Sequence, residues 1–206
     1  MNESDTDALL NKGKAYHEAG HAVLHLIFGM RLEDVSIVPT GELVGGTTQF
    51  REQHPVVLSG KGVYCEGTIE RDRYICHGIM ATQAGEVAQT LFCPESVQPH
   101  HAGLDRRAVK AQIKAWDRYA NASEQEDKLE SLYCDTRQLL AQPLCVAGVT
   151  ALAQELVLHR QLSGERARCI IREAMAEATK RAKEAGGPPL DLKCPHCEEY
   201  AGYEGP

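Results

Sequence analysis

Two histidines four positions apart, with a glutamate directly after the first, are the residues of this chain best suited to chemistry: His17-Glu18-Ala19-Gly20-His21. On a helix, positions i and i+4 share a face, so both imidazoles can converge on one ion. Glu18 stands one step round the helix, where it reaches a water on the ion rather than the ion itself. That arrangement suits zinc peptide hydrolysis, in which zinc acidifies a water and a carboxylate acts as general base. Ala19, Gly20 and Ala22 are small enough to let another helix approach the histidine-bearing turn. A mid-helix glycine is about 1 kcal/mol worse than alanine, so close packing is the expected reason for Gly20. The plain alternative is an ordinary helix with surface histidines.

Other candidates carry less. His25 extends the four-residue spacing but lies about 12 Å along the helix from His17, so all three cannot share an ion. It is expected in the core or on the surface. His100-His101 reads as a solvated loop pair, with a place along a cleft as the sharper alternative. Cys194-Pro195-His196-Cys197 has the spacing of half a zinc knuckle without a second C-x-x-C, so a reduced, disordered tail is the default. Lys180-Arg181-Ala182-Lys183 is a solvated helix end that complements the helix dipole.

The elements that must position the motif follow from apolar periodicity. Residues 7–29 read as a helix with Ala15, Ala19, Ala22, Val23, Leu26 and Ile27 on one face and Gly29 as its stop. Val35, Ile37 and Val38 suggest a strand. Pro39-Thr40-Gly41-Glu42 supplies a turn, and residues 43–50 return as the second strand of a hairpin. Residues 51–76 are mixed, with Gly60, Gly62 and Gly67 between short β-like runs. Helices are expected at 73–92, 104–121, 124–141, 144–159 and 164–184, the last with Ser163 as N-cap. Gly186-Gly187-Pro188-Pro189 ends it. The fold class expected is mainly α with a small β element (α+β), as one domain over residues 1–184 and a flexible tail over 185–206.

Composition sets the remaining bounds. The 206 residues are 43% hydrophobic and 25% charged, ordinary for a globular domain with its own core. A net charge of −7 and only 5% aromatic residues argue against nucleic acid as partner. Residues 1–10 lack the basic-then-apolar pattern of a secretory signal. The most apolar run, residues 22–30, is too short to span a bilayer. A cytoplasmic protein without a membrane span is expected, its eight cysteines mostly free buried thiols.

Residues 15–23, Ala-Tyr-His-Glu-Ala-Gly-His-Ala-Val, resemble the zinc helix of the FtsH/paraplegin-type peptidase family. Val35-Ser36-Ile37-Val38-Pro39 with Gly45-Gly46-Thr47-Thr48 is similar to that family's hairpin, and residues 80–92 with Gly85-Glu86 to its next helix. Ala102-Gly103-Leu104-Asp105 resembles the turn that delivers the third zinc ligand, and residues 152–175 the closing helices. The resemblance implies a zincin-like helical peptidase domain that binds Zn2+ through His17, His21 and Asp105, with Glu18 as catalytic base. A fourth position would be open for water. A helix-terminal acid is the bland reading of Asp105. Glu86 is the rival ligand, or a residue that hydrogen-bonds a ligand imidazole or packs nearby. The sequence departs from the family pattern at Leu104, where asparagine is usual, and at Gln83, where arginine is usual. No G-x-x-x-x-G-K-[ST] phosphate-binding loop occurs, so the family's ATPase module has no counterpart here.

The function expected is therefore a metalloendopeptidase acting on unfolded polypeptide or peptide, if need be with a separate ATP-dependent unfoldase; a homo-oligomer is compatible with this. Residues 47–49 could pair with an extended substrate. The alternative is a non-catalytic zinc-binding adaptor, which would have no use for a base at Glu18.

Overall fold

The computed structural model describes residues 3–39, 47–51, 69–98, 102–116 and 121–194. Helix α1 (Glu3–Ile27) is the centre of the arrangement. Ala15, Ala19, Ala22, Val23 and Leu24 are fully buried on it, at the spacing that makes a helix amphipathic. It packs on α2 (Ile69–Phe92) along one side and on α5 (Pro143–His159) along another. Gly29, at φ 77°, stops the helix as expected. Its N–H donates to the Leu26 carbonyl (3.1 Å) and that of Met30 to the His25 carbonyl (2.8 Å), a Schellman closure that a left-handed residue makes possible.

The chain then enters β1 (Arg31–Ser36), which pairs antiparallel with β2 (Thr47–Arg51), so the expected hairpin is present, with its first strand beginning four residues before Val35 and ending before Ile37. Most of its connection, residues 40–46, lies outside the described residues. A third strand, β3 (Gln161–Ser163), pairs antiparallel with the other edge of β1, giving the order β2-β1-β3. Sequence periodicity cannot show a three-residue strand; this one forms because Arg160, left-handed at φ 64°, ends α5 and returns the chain to β1. Ser163 then caps α6 (Gly164–Glu184), accepting from the Arg166 N–H. At Gly164 a Cβ would sit 2.8 Å from the Glu33 backbone nitrogen, so only glycine lets α6 begin against β1.

Helix α2 begins at Ile69, four residues earlier than its apolar pattern suggests; residues 52–68 lie outside the described set. Helix α3 (Gly103–Trp116) and α4 (Ala122–Leu140) follow, and both pack on α2. Residues 117–120, expected at the end of α3, are also outside the described set. Helix α4 starts on a capping box in which Asn121 accepts from Ser123 and Glu124 N–H while the Glu124 carboxylate accepts from Asn121 N–H. One apolar core joins all six helices with β1 and β3, and Ile79, Met80, Ile113, Leu139, Leu140, Leu152, Leu156 and Ile171 are among its largest members. The mainly helical architecture with a small antiparallel sheet is thus the α+β class expected. After α6 the Lys193 N–H donates to Gln142 Oε1 at 3.0 Å, and Leu192 and Cys194 pack on the core, so this stretch of the expected tail lies against the body.

All six described cysteines are free thiols. Cys76, Cys93 and Cys145 are buried, but Cys134 and Cys169 are exposed, contrary to the expectation of burial. Among the described residues no single helix is long and apolar enough to cross a membrane.

Candidate metal centre

The close approach of α1 and α2 creates the site. At Gly20 a Cβ would lie 2.5 Å from the Ala88 Cβ and still nearer the Ala84 carbonyl, so glycine on α1 and alanines on α2 let the two backbones touch. The packing reason expected for Gly20 is present. One residue further along α2, Gly85 faces the histidines themselves. A Cβ there would sit 2.6 Å from His17 Nε2 and 2.7 Å from His17 Cδ2, inside van der Waals contact. The missing side chain leaves the space over the two imidazole nitrogens free.

Three polar atoms converge on that space. His17 Nε2 is 3.1 Å from His21 Nε2, and Asp105 Oδ2 is 2.9 Å from the first and 3.4 Å from the second. A tetrahedral zinc with ligand atoms about 2.0–2.1 Å away requires ligand–ligand separations of about 3.3 Å, so the triangle is close to the size an ion would span. Two helices supply it: α1 through the i, i+4 pair, and the first turn of α3 through Asp105. Among the described residues this is the one group of three or more histidine, cysteine or carboxylate ligands that could hold a metal ion.

The hydrogen bonds around the triangle favour the same use. His21 Nδ1 lies 2.8 Å from the Ala81 carbonyl, which can only accept; the proton is therefore on Nδ1, and neutral His21 offers a bare Nε2 to the centre. Two bare imidazole nitrogens at 3.1 Å and a carboxylate repel unless a cation or a proton lies between them. Without metal the balance is struck by protons. Burial disfavours a charged His21, but the hydrogen bond and charge of Asp105, with Glu18 nearby, outweigh it and raise the imidazole to about 9. Burial likewise opposes an ionised Asp105, yet bonds to His17 and His21 hold its carboxyl far below the usual carboxylate range. A divalent cation supplies this positive charge more fully than one shared proton.

Glu18 is buried beside the triangle but is not one of its ligands. The Thr48 hydroxyl on β2 donates to Glu18 Oε2 at 2.7 Å and also lies 3.1 Å from the Glu18 carbonyl oxygen. One carboxylate oxygen is thus anchored, and among the described residues the other has no hydrogen-bond partner. Comparison with protein-family models finds no match, and comparison with curated proteins finds none either.

The remaining candidates fall elsewhere. Glu86 is neither a ligand nor a partner of an imidazole but packs nearby, in a two-pronged pair with Arg106, whose Nε donates to Oε2 at 2.9 Å. Because Arg106 follows Asp105, this pair ties the start of α3 to α2 and so holds Asp105 over the histidines. His25 is in the core at 4% exposed, with Nδ1 2.9 Å from Met30 Sδ, and burial reinforced by the charge of His21 pushes it down to about 3. His100, His101, His196 and Cys197 lie outside the described residues. Four contributors were not expected: Gly85 as the clearance over the nitrogens, the Ala81 carbonyl that orients His21, Thr48 as the anchor of Glu18, and Arg106 as the clasp on α3. Only Gly85 had a sequence signal, a glycine in mid-helix, the same signal that marked Gly20.

Proposed function

We propose that this chain is a zinc-dependent metallopeptidase, similar in its site to the FtsH/paraplegin-type peptidases, that hydrolyses peptide bonds in unfolded polypeptides. The observation that carries the reading is the convergence of His17, His21 and Asp105 on one point with Glu18 anchored beside it. Two imidazoles and one carboxylate form the ligand set of a catalytic rather than a closed structural zinc. When bound there, zinc would lower the pKa of a water and polarise the substrate carbonyl. His21 presents Nε2 because Ala81 takes its other proton, and His17 and Asp105 complete the triangle. Glu18 takes a proton from the attacking water and passes it to the leaving amine. Thr48 holds the carboxylate during both transfers. Among the described residues strand β2 is an edge of the sheet, so an extended polypeptide can add beside it through main-chain hydrogen bonds. Folded substrates would need an unfoldase from elsewhere.

The test is cleavage of a chemically unfolded protein by the purified chain with zinc, followed by mass spectrometry of the products. Cleavage lost on adding a chelator and restored by zinc is the expected result. A chain that binds zinc through these residues yet cleaves none of a varied set of unfolded proteins would instead be a zinc-binding adaptor.

A further inference from the structure

Beside the metal centre, between α2, α3 and α4, a pocket of about 320 Å3 opens, and Asp105 is in its wall. That is the lower end of the range of about 300 to 1,000 Å3 for ligand pockets, with room for a single long side chain. Its lining has two characters. Val109, Leu129 and the Tyr133 ring supply apolar surface. Glu126 and Glu130, four residues apart on one face of α4, supply carboxylates, and neither has an ion-pair partner among the described residues. Glu86 and Arg106 neutralise each other in their paired geometry, which leaves Lys110 as the one opposing charge in the lining. An apolar trough with a surplus carboxylate at its rim matches a side chain with a methylene stem and a cationic end.

We propose that this pocket receives a lysine or arginine side chain of the polypeptide substrate, with Glu126 and Glu130 as the specificity-determining residues. The proposal rests on the metallopeptidase reading and names the substrate class of that site. The net charge of −7 works in the same direction, since it draws cationic segments towards the chain. Lys110 tempers the preference, and its removal should sharpen it.

Binding and cleavage are read separately. Binding is measured on the full chain carrying Glu18→Gln, by fluorescence anisotropy of peptides that differ only in one residue: lysine, arginine, norleucine or glutamate. Lysine and arginine peptides should bind about 5- to 10-fold tighter than norleucine, the scale of one or two screened ion pairs, and lose the advantage at high salt. Glu126→Gln with Glu130→Gln should remove the difference between lysine and norleucine. Glu126→Lys with Glu130→Lys should turn the preference towards glutamate, an outcome that an unfolded variant cannot produce. In cleavage, sites in an unfolded protein should cluster beside lysine and arginine. Cleavage that follows apolar residues, or a lysine preference untouched by both double variants, overturns the proposal while the metallopeptidase reading stands. No cleavage of any substrate overturns both.

Discussion

Glu18 is 4% exposed and its Oε2 accepts from the Thr48 hydroxyl at 2.7 Å, so Glu18→Gln has a defined outcome in this setting. The glutamine carbonyl can take the Thr48 bond, because a hydroxyl donates equally well to an amide oxygen. The amide nitrogen then occupies the place of the free carboxylate oxygen, where it can donate a hydrogen bond but cannot receive a proton. Shape is kept, and a buried negative charge that is not among the ligands is removed, so fold and zinc content should survive. General-base catalysis is worth about 10²–10⁴-fold, or roughly 3–5 kcal/mol of barrier, and turnover should fall by at least that factor. Thr48→Val isolates the anchor. It deprives the carboxylate of one hydrogen bond, a loss of about 1.5–3 kcal/mol if fully felt, so a smaller fall of about 10-fold or more is expected. The assay is kcat/KM on a quenched-fluorescent peptide, with zinc per chain measured on the same samples. Wild-type turnover retained by Glu18→Gln at a comparable rate, with zinc intact, would falsify the assignment of the base.

His21→Ala, made in a background with Cys194→Ser and Cys197→Ser, should lose the zinc that the background protein holds; unchanged zinc by atomic absorption would remove the centre from α1. Asp105→Asn should weaken zinc strongly in competition with a chelator. Glu86→Gln should act mildly, because its partner Arg106 is largely exposed and such pairs contribute about 0–1 kcal/mol; the reverse ranking would reject Asp105 as a ligand. In metal-free protein two histidines make stability depend on pH with opposite signs. His25, lowered from 6.5 to about 3, contributes stability that is present above pH 6.5 and lost as pH falls towards 3. His21, raised to about 9, contributes stability complete below pH 6.5 and lost as pH rises through 9. Between pH 6.5 and 5 the first effect acts nearly alone, so urea unfolding should show a drop on the order of 2 kcal/mol that His25→Leu removes. A wild-type curve flat over that range would show that His25 is accessible to protons in the folded chain.

The near side of the site was legible in the sequence because its geometry is local. A helix places residues i and i+4 on one face whatever surrounds it, so His17, His21 and the offset of Glu18 follow from spacing alone. So does the Gly29 stop, and so do the cap of α6 at Ser163 and the helix periods that place most of the core. Position Asp105 could be reached only through resemblance, since 88 residues separate it from His17 and no local rule links them. Its proximity depends on how α3 docks against α2, where Val109 and Ile113 are buried in the core and Glu86 and Arg106 pair across the two helices. The same reason left Glu86 open as a rival to Asp105: a carboxylate near the histidines in sequence pattern is claimed by whichever cation the packing brings first. Strand β3 exists only as a pairing with β1, the Thr48 anchor only because β2 lies against α1, and the Ala81 carbonyl takes part only because a histidine side chain from α1 reaches α2. Spacing along one helix decides which side chains can point the same way. Only the packing of separate helices and strands decides what they meet, because those contacts depend on the whole core closing around them.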